Sequence, residues 1–394
     1  MSEAQLFYLV VVAVYLTECA TLVRKDSVIL VATWLTSWRI AHPSGLLGSE
    51  ARGLFLSNPV PPLGETLVAQ AWPFSLSPEG CYAYTALTTH PEGRAAQDGP
   101  YLPWGAVRGV TVEEKKVVVE GTVVARADSA VTARGWAELL TSIAKAHPAD
   151  REDLIMRAIR KSLDAAEAAR RRTAFADASR WLRWVCVALC VHIFAVCPLV
   201  WMNGPILRLW PVLALVILGL MWTIAVLFFR AHAAVYGAAT GDRGLVTFLC
   251  ATVPTVPMRA CDYLSRPLLA GVHPLAAVHA LLDAEGFKKY ARAVLLDTRQ
   301  PIRPECRTDN SVAKQTEGWC RARLGTELEA FVRARGLDPA DLTKPLSPRD
   351  STSKSYCPRC DAQYALTDGV CSTCGDIPLI RFTADVPGSG EPPA

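Results

Sequence analysis

The chain has 394 residues, of which 51% are hydrophobic and 20% charged, with a formal net charge of +4. That length suits two to four ordinary domains, and the apolar share is only slightly above the globular norm, unlike that of a polytopic transporter. So small a net charge gives no overall field to hold nucleic acid, and thirteen unevenly spread cysteines are not the framework of a small secreted disulfide protein.

Residues 5–23, "QLFYLVVVAVYLTECATLV", are about 19 mostly apolar residues, enough to cross the ~30 Å hydrocarbon core as a helix. The run has no basic n-region and no small-residue cleavage site, so it reads as an anchor and not as a cleaved leader. Glu18 sits near its inner end, within snorkelling reach of Arg24 or Lys25.

Residues 27–147 read as a β-rich α+β domain. "SVILVATWL" has the β-branched content of a strand. In "GAVRGVTVEEKKVVVEGTVVARADS" the pattern predicts strands near 106–112, 117–120 and 122–126, with a charged turn at 113–116 and a tight turn at Glu120-Gly121. Ser129 can cap the helix that follows, whose stripe is Val131, Trp136, Leu140, Ile143 and Ala144. Residues 149–180 are rich in Ala, Arg and acids, and predict a helical stalk of about 45 Å. Within it, Arg170, Arg171 and Arg172 are candidates to touch anionic lipid; the alternative is a solvated face that sets topology.

Residues 184–201 and 209–229 form two further apolar spans separated by "MNGPILR", hence a hairpin. Trp181, Trp184, Trp201 and Trp210 stand near span ends, where aromatic belts belong. A buried soluble core hairpin is the alternative. Arginines and lysines flank the spans on one side: Arg24, Lys25, Arg170–Arg172, Arg180, Arg183, Arg230 and Arg243, against Arg208 alone in the hairpin loop. The expectation is a multi-pass protein of a bacterial inner (plasma) membrane, N-terminus outside and C-terminus cytosolic. His192, mid-span, and Glu18 are the intramembrane polar candidates. No broken-helix pair or inverted repeat accompanies them, as a transporter tends to show.

Residues 244–345 read as a helical cytosolic segment, with 244–258 as an interfacial or re-entrant piece interrupted by Pro254 and Pro257. His273 and His279 read as structural, since six-residue spacing does not place them on one helix face. Cys306 and Cys320 lack the two-residue spacing of a metal knuckle.

The most specific chemistry is "YCPRCDAQYALTDGVCSTCG", 356–375. Cys357, Cys360, Cys371 and Cys374 form two C-x-x-C pairs ten residues apart, the pattern of a closed tetrahedral thiolate site for one structural Zn2+ with Zn–S near 2.3 Å. Iron in a rubredoxin-like site is the redox alternative. Four thiolates leave no open position for a catalytic metal. Asp361, after the second cysteine, can adopt the left-handed conformation such a turn needs. Residues 354–383 are thus expected to be a small zinc module, and 385–394 a disordered tail.

On these residues the segment 356–380 resembles the zinc-ribbon family, which usually has Gly where Asp361 stands and Pro where Ser372 stands; neither position is a ligand. The whole chain resembles uncharacterised bacterial membrane proteins that end in a zinc ribbon, a resemblance that carries no activity. "YLPWGAVRGVTV", "KVVVEGTVVARADS" and the following helix resemble the pleckstrin-homology-like architecture over 100–147, which implies binding of a peptide or lipid headgroup; a plain α+β domain is the alternative.

The fold class expected is therefore a multi-domain α+β membrane protein with three transmembrane helices, a β-rich cytosolic domain, a helical segment and a zinc ribbon. No Walker loop, G-x-G-x-x-G or H-E-x-x-H is present. The expected role is a membrane-anchored scaffold or regulator that meets a cytosolic protein. The rivals are an enzyme or transporter using Glu18, His192 and 244–258, and a nucleic-acid binder acting through the ribbon. The last is disfavoured because Lys354, Arg359 and Arg381 are balanced by Asp361, Asp368 and Asp376.

Overall fold

The computed structural model describes residues 3–24, 27–33, 35–41, 52–56, 63–83, 100–203, 206–237, 242–299, 311–358, 361–372 and 378–382. The chain is a mixed α+β protein of two compact units: Met1–Asp283 with Thr308–Cys320, and Ala284–Arg307 with Arg321–Ala394. The division falls inside 244–345, which the sequence reads as one segment.

In the first unit, α1 (Glu3–Cys19) stops where β1 (Ala20–Arg24) begins. Thr21, Leu22 and Val23 pair with Phe55, Leu54 and Gly53 of β4 (Arg52–Leu56). The expected span 5–23 is thus a helix of about 25 Å followed by a strand, because its last residues take ladder hydrogen bonds from a partner some thirty positions away. Next, β2 (Ser27–Thr33) lies antiparallel between β3 (Thr36–Ala41) and β5 (Gly64–Gln70). A further sheet comprises β6 (Phe74–Leu76), β7 (Gly80–Ala83) and β8 (Tyr101–Pro103). Gly80 is required there, since a Cβ would stand 2.6 Å from the Leu102 carbonyl oxygen.

The expected meander is β9 (Val110–Glu113), β10 (Lys116–Val119) and β11 (Thr122–Arg126). It starts later than 106 because Trp104–Ala106 form a 3₁₀ turn whose Trp104 indole N–H donates to Ser77 O at 2.8 Å. Glu120 and Gly121 take φ of 49° and 76°, as the tight turn demands. The Ser129 hydroxyl accepts from Thr132 N–H at 3.1 Å and caps α2 (Ala130–Lys145). Trp136, Leu140 and Ile143 are buried on the inner face of α2, with Trp136 edge-on to Phe74 at 5.8 Å.

The expected continuous stalk breaks in two. α3 (Arg151–Ser162) ends, and Asp164 caps α4 (Ala165–Val191) by accepting from Glu167 N–H at 3.0 Å. A π-helical turn, His192–Val196, leads from α4 into α5 (Cys197–Asn203). α6 (Ile206–Tyr236) returns along α4 to make the hairpin. Leu182, Cys186, Leu189 and Cys190 of α4 and Met221, Ile224 and Phe228 of α6 are buried, whereas Val191, Leu215, Leu218 and Trp222 face outward. Two helical stretches, Ala165–Trp201 and Leu209–Tyr236, are long and apolar enough to cross a membrane. Only 28% of the most apolar window of each is buried, which is not how a soluble core hairpin hides its apolar residues. α1 and α7 (Asp242–Thr252) are shorter apolar helices.

Segment 244–258 is mostly α7, which packs on α6 and exposes Leu245 and Phe248. Then come α8 (Thr255–Met258), buried throughout, α9 (Ala260–Ser265) and α10 (Pro274–Leu281). His273 is structural: its Nδ1 accepts from Leu275 N–H at 3.1 Å and caps α10.

The second unit contains α11 (Ala284–Arg299) and the part of α12 (Ser311–Arg333) beyond Cys320. α13 (Pro339–Leu342) follows, then three two-residue strands, β12 (Ser355–Tyr356), β13 (Gln363–Tyr364) and β14 (Ile380–Arg381). Phe287 and Phe331 meet edge to face at 6.4 Å.

Candidate functional site

The cysteine segment folds around β12, which pairs antiparallel with β13 on one side and β14 on the other. Cys357 follows β12 directly. Its N–H donates to Ala362 O and its carbonyl accepts from Asp361 N–H, both at 2.9 Å. These bonds close a tight turn in which Asp361 takes φ of 58°, the left-handed conformation expected of it. Cys371 follows an isolated bridge between Val370 and Pro378. Cys357 and Cys371 are both 0% exposed and share one cluster, with Tyr364 and Leu379 packed against it. The first cysteines of the two C-x-x-C pairs are therefore brought together. Cys360 and Cys374 lie outside the described residues. Among the described residues no group of three or more His, Cys, Asp or Glu is placed to hold a metal.

Two contacts here were not read from the sequence. The Tyr364 hydroxyl stands 3.1 Å from Cys371 Sγ, and that hydrogen bond raises the phenol's pKa above its ordinary value. Arg292 of α11 is 8% exposed. It donates through Nη1 to Leu342 O and Lys344 O, and through Nε to Asp361 at 3.3 Å. One guanidinium thus ties the helical part of this unit to the turn after Cys357. In "FKKYARAVLL" Arg292 looks like part of a solvated face, and no local signal marks it. Arg381 pairs with Asp368 across the strands, which holds that carboxyl below its usual range.

The intramembrane candidates are placed separately. Glu18 Oε1 accepts from Thr255 Oγ1 of α8 at 3.0 Å; the side chains of Arg24 and Lys25 lie outside the described residues. His192 opens the π-helical turn, and its Nε2 is buried without a hydrogen-bond partner. No hydrogen bond joins the two. A buried ion pair the sequence did not suggest lies beyond them: Arg259, 2% exposed, donates to Asp262 at 2.6 Å, and Arg266 donates to the same carboxylate at 3.0 Å.

The three consecutive arginines point three ways, as steps of about 100° around a helix require. Arg170 is exposed and pairs with Glu167. Arg171 turns inward and donates to Leu268 O and to Ala270 O, the latter at 2.7 Å. Arg172 pairs with Glu65 and lies over the Trp38 ring at 5.2 Å. Cys306 lies outside the described residues, and Cys320 is buried near Cys81.

Comparison of the chain with protein-family models, curated proteins and solved structures found no match.

Proposed function

We propose that the protein is a membrane-anchored scaffold or regulator of a bacterial inner membrane, which offers its cytosolic units to a protein partner and ends in a structural zinc ribbon. In this reading α4–α5 and α6 cross the bilayer, α1 is a third and shorter crossing, the N-terminus lies outside and the C-terminus is cytosolic. The cationic flanks support that orientation. Cys357, Cys360, Cys371 and Cys374 hold one Zn2+, which supplies a cross-link between the two turns. Tyr364 then donates to the Cys371 thiolate, and Arg292 holds the first turn through Asp361.

The observation that carries the reading is the burial of Cys357 and Cys371 in one cluster, in a segment with little else to bury. A catalytic or transport role through Glu18, His192 and 244–258 has less support, because Glu18 is engaged by Thr255 and 244–258 folds into α7 and the buried α8. Nucleic-acid binding has less still, with Arg381 paired to Asp368. The test is metal content by mass spectrometry of the purified full-length protein beside Cys371→Ser. One zinc per chain, lost in the variant, is expected. Iron, or an unchanged metal content in the variant, would overturn the ribbon.

A further inference from the structure

A cleft of about 460 Å³ opens between α4 and the end of the sheet formed by β2 and β5. Its helical wall is one stripe: Arg172, Ala176, Arg180, Arg183 and Val187 recur at three- and four-residue steps. Glu65 enters from the sheet side, and its carboxylate takes both Arg183 Nη2 and Arg172 Nε. Arg180 has no ion-pair or hydrogen-bond partner among the described residues. Three guanidiniums against one carboxylate leave the cleft at +2.

The position of the cleft along α4 matters as much as its charge. Residues 165–183 mix alanines with all the charged residues of the helix, and from Trp184 the helix turns wholly apolar. Trp181 and Trp184 at this boundary are 69% and 63% exposed. Exposed indoles belong at the headgroup level of a bilayer. The cleft therefore combines forked donors that match phosphate geometry with a rim of interfacial tryptophan and an apolar floor at Val187.

We propose that this cleft binds the phosphate of an anionic phospholipid of the phosphatidylglycerol class. The inference rests on the reading of α4 and α6 as a membrane hairpin. Arg180 forks the phosphate oxygens, Arg183 adds its Nη1 while its Nε stays on Ser179 Oγ and its Nη2 on Glu65, Trp184 lies at the boundary of headgroup and acyl chains, and the chains run along the Val187 side of α4. Basic pockets beside membrane helices hold anionic headgroups in this way. Glu65 keeps Arg172 and Arg183 in place and limits the cleft to a single anion. The positive field repels the ammonium of a zwitterionic headgroup, which sets selectivity for the anionic one.

The test uses full-length protein in detergent, titrated with phosphatidylglycerol or phosphatidylcholine, with retained lipid counted by native mass spectrometry. The wild type is expected to prefer phosphatidylglycerol about tenfold. Arg180→Gln removes a side chain that bonds nothing else among the described residues, so the preference should fall to about twofold with Tm unchanged. Equal retention of the two lipids, or full preference in Arg180→Gln, would overturn the proposal. Competition by millimolar inorganic phosphate with no need for lipid would overturn the lipid source. Extraction of native membranes with alkaline carbonate separates the two levels. Release of the protein defeats the hairpin reading itself, whereas retention without lipid preference defeats the cleft alone.

Discussion

Around α2, Phe74, Trp136, Leu140 and Ile143 are each at most 2% exposed. In residues 354–382 the described buried residues are Ser355, Tyr356, Cys357, Pro358 and Cys371. The α2 layer is held by aromatic and aliphatic side chains from elements far apart in sequence. The C-terminal strands have two residues each, and besides the two thiols, with Tyr364 and Leu379 packed on them, they bury one aromatic ring, Tyr356 against Phe382. Segments of ~25 residues seldom bury enough apolar surface to be stable alone. The contrast shows why metal chemistry is expected at one end of this chain and is unnecessary at the other.

The largest expected effect breaks the comparison at its weak end. If the proposed site holds zinc, chelation or Cys371→Ser should remove binding worth about 10 kcal/mol or more. By hydrogen exchange, the ladder amides of Tyr356 and Tyr364 should lose protection while those of β10 keep it. Protection that survives chelation would mean that packing alone holds the segment. Next comes Trp136→Ala, which should cost the first unit about 3–5 kcal/mol in urea unfolding. The Trp136 indole N–H has no hydrogen-bond partner among the described residues, so Trp136→Phe should cost far less. Similar losses for the two variants would sink the packing account.

Arg292→Ala strips Leu342 O, Lys344 O and Asp361 of their shared donor, at a cost of about 2–3 kcal/mol. The effect should be confined to the second unit, and Arg292→Lys should recover little of it, because an ammonium cannot reproduce the fork. Uniform destabilisation of both units would contradict this.

The smallest effect is on acid stability. Burial lowers the His273 pKa from 6.5 to about 4. Its Nδ1 must stay unprotonated to cap α10. Between these two pKa values the unfolded chain binds the proton and the folded one does not, so stability falls as pH drops from 6.5 towards 4 and the loss saturates below. For a part-buried ring the loss is on the order of 1–2 kcal/mol. His273→Asn keeps a capping oxygen and should flatten the urea midpoint over that range.

Local signals explain what was legible in advance. The Ser129 cap, the Glu120-Gly121 turn, the β9–β11 meander and the left-handed Asp361 all follow from residues within a few positions of each other. The apolar runs of α4–α5 and α6 are legible for the same reason: hydropathy adds up along one helix. The termination of α1 at Cys19 is not, since β1 exists only because β4 pairs with it. The Asp164 cap was readable in principle but was masked by strong helix formers on both sides.

By itself the sequence determined the mixed α+β class, the apolar hairpin and the paired spacing of the four cysteines, because each is written in periodicity or in short-range chemistry. Only the tertiary structure decided that Cys357 and Cys371 share one buried cluster, that Arg292 grips Asp361, and that Arg172 and Arg183 close on Glu65 while Arg171 turns inward. Those contacts join residues from 14 to 118 positions apart, and the side to which a helix turns each arginine depends on what packs against it.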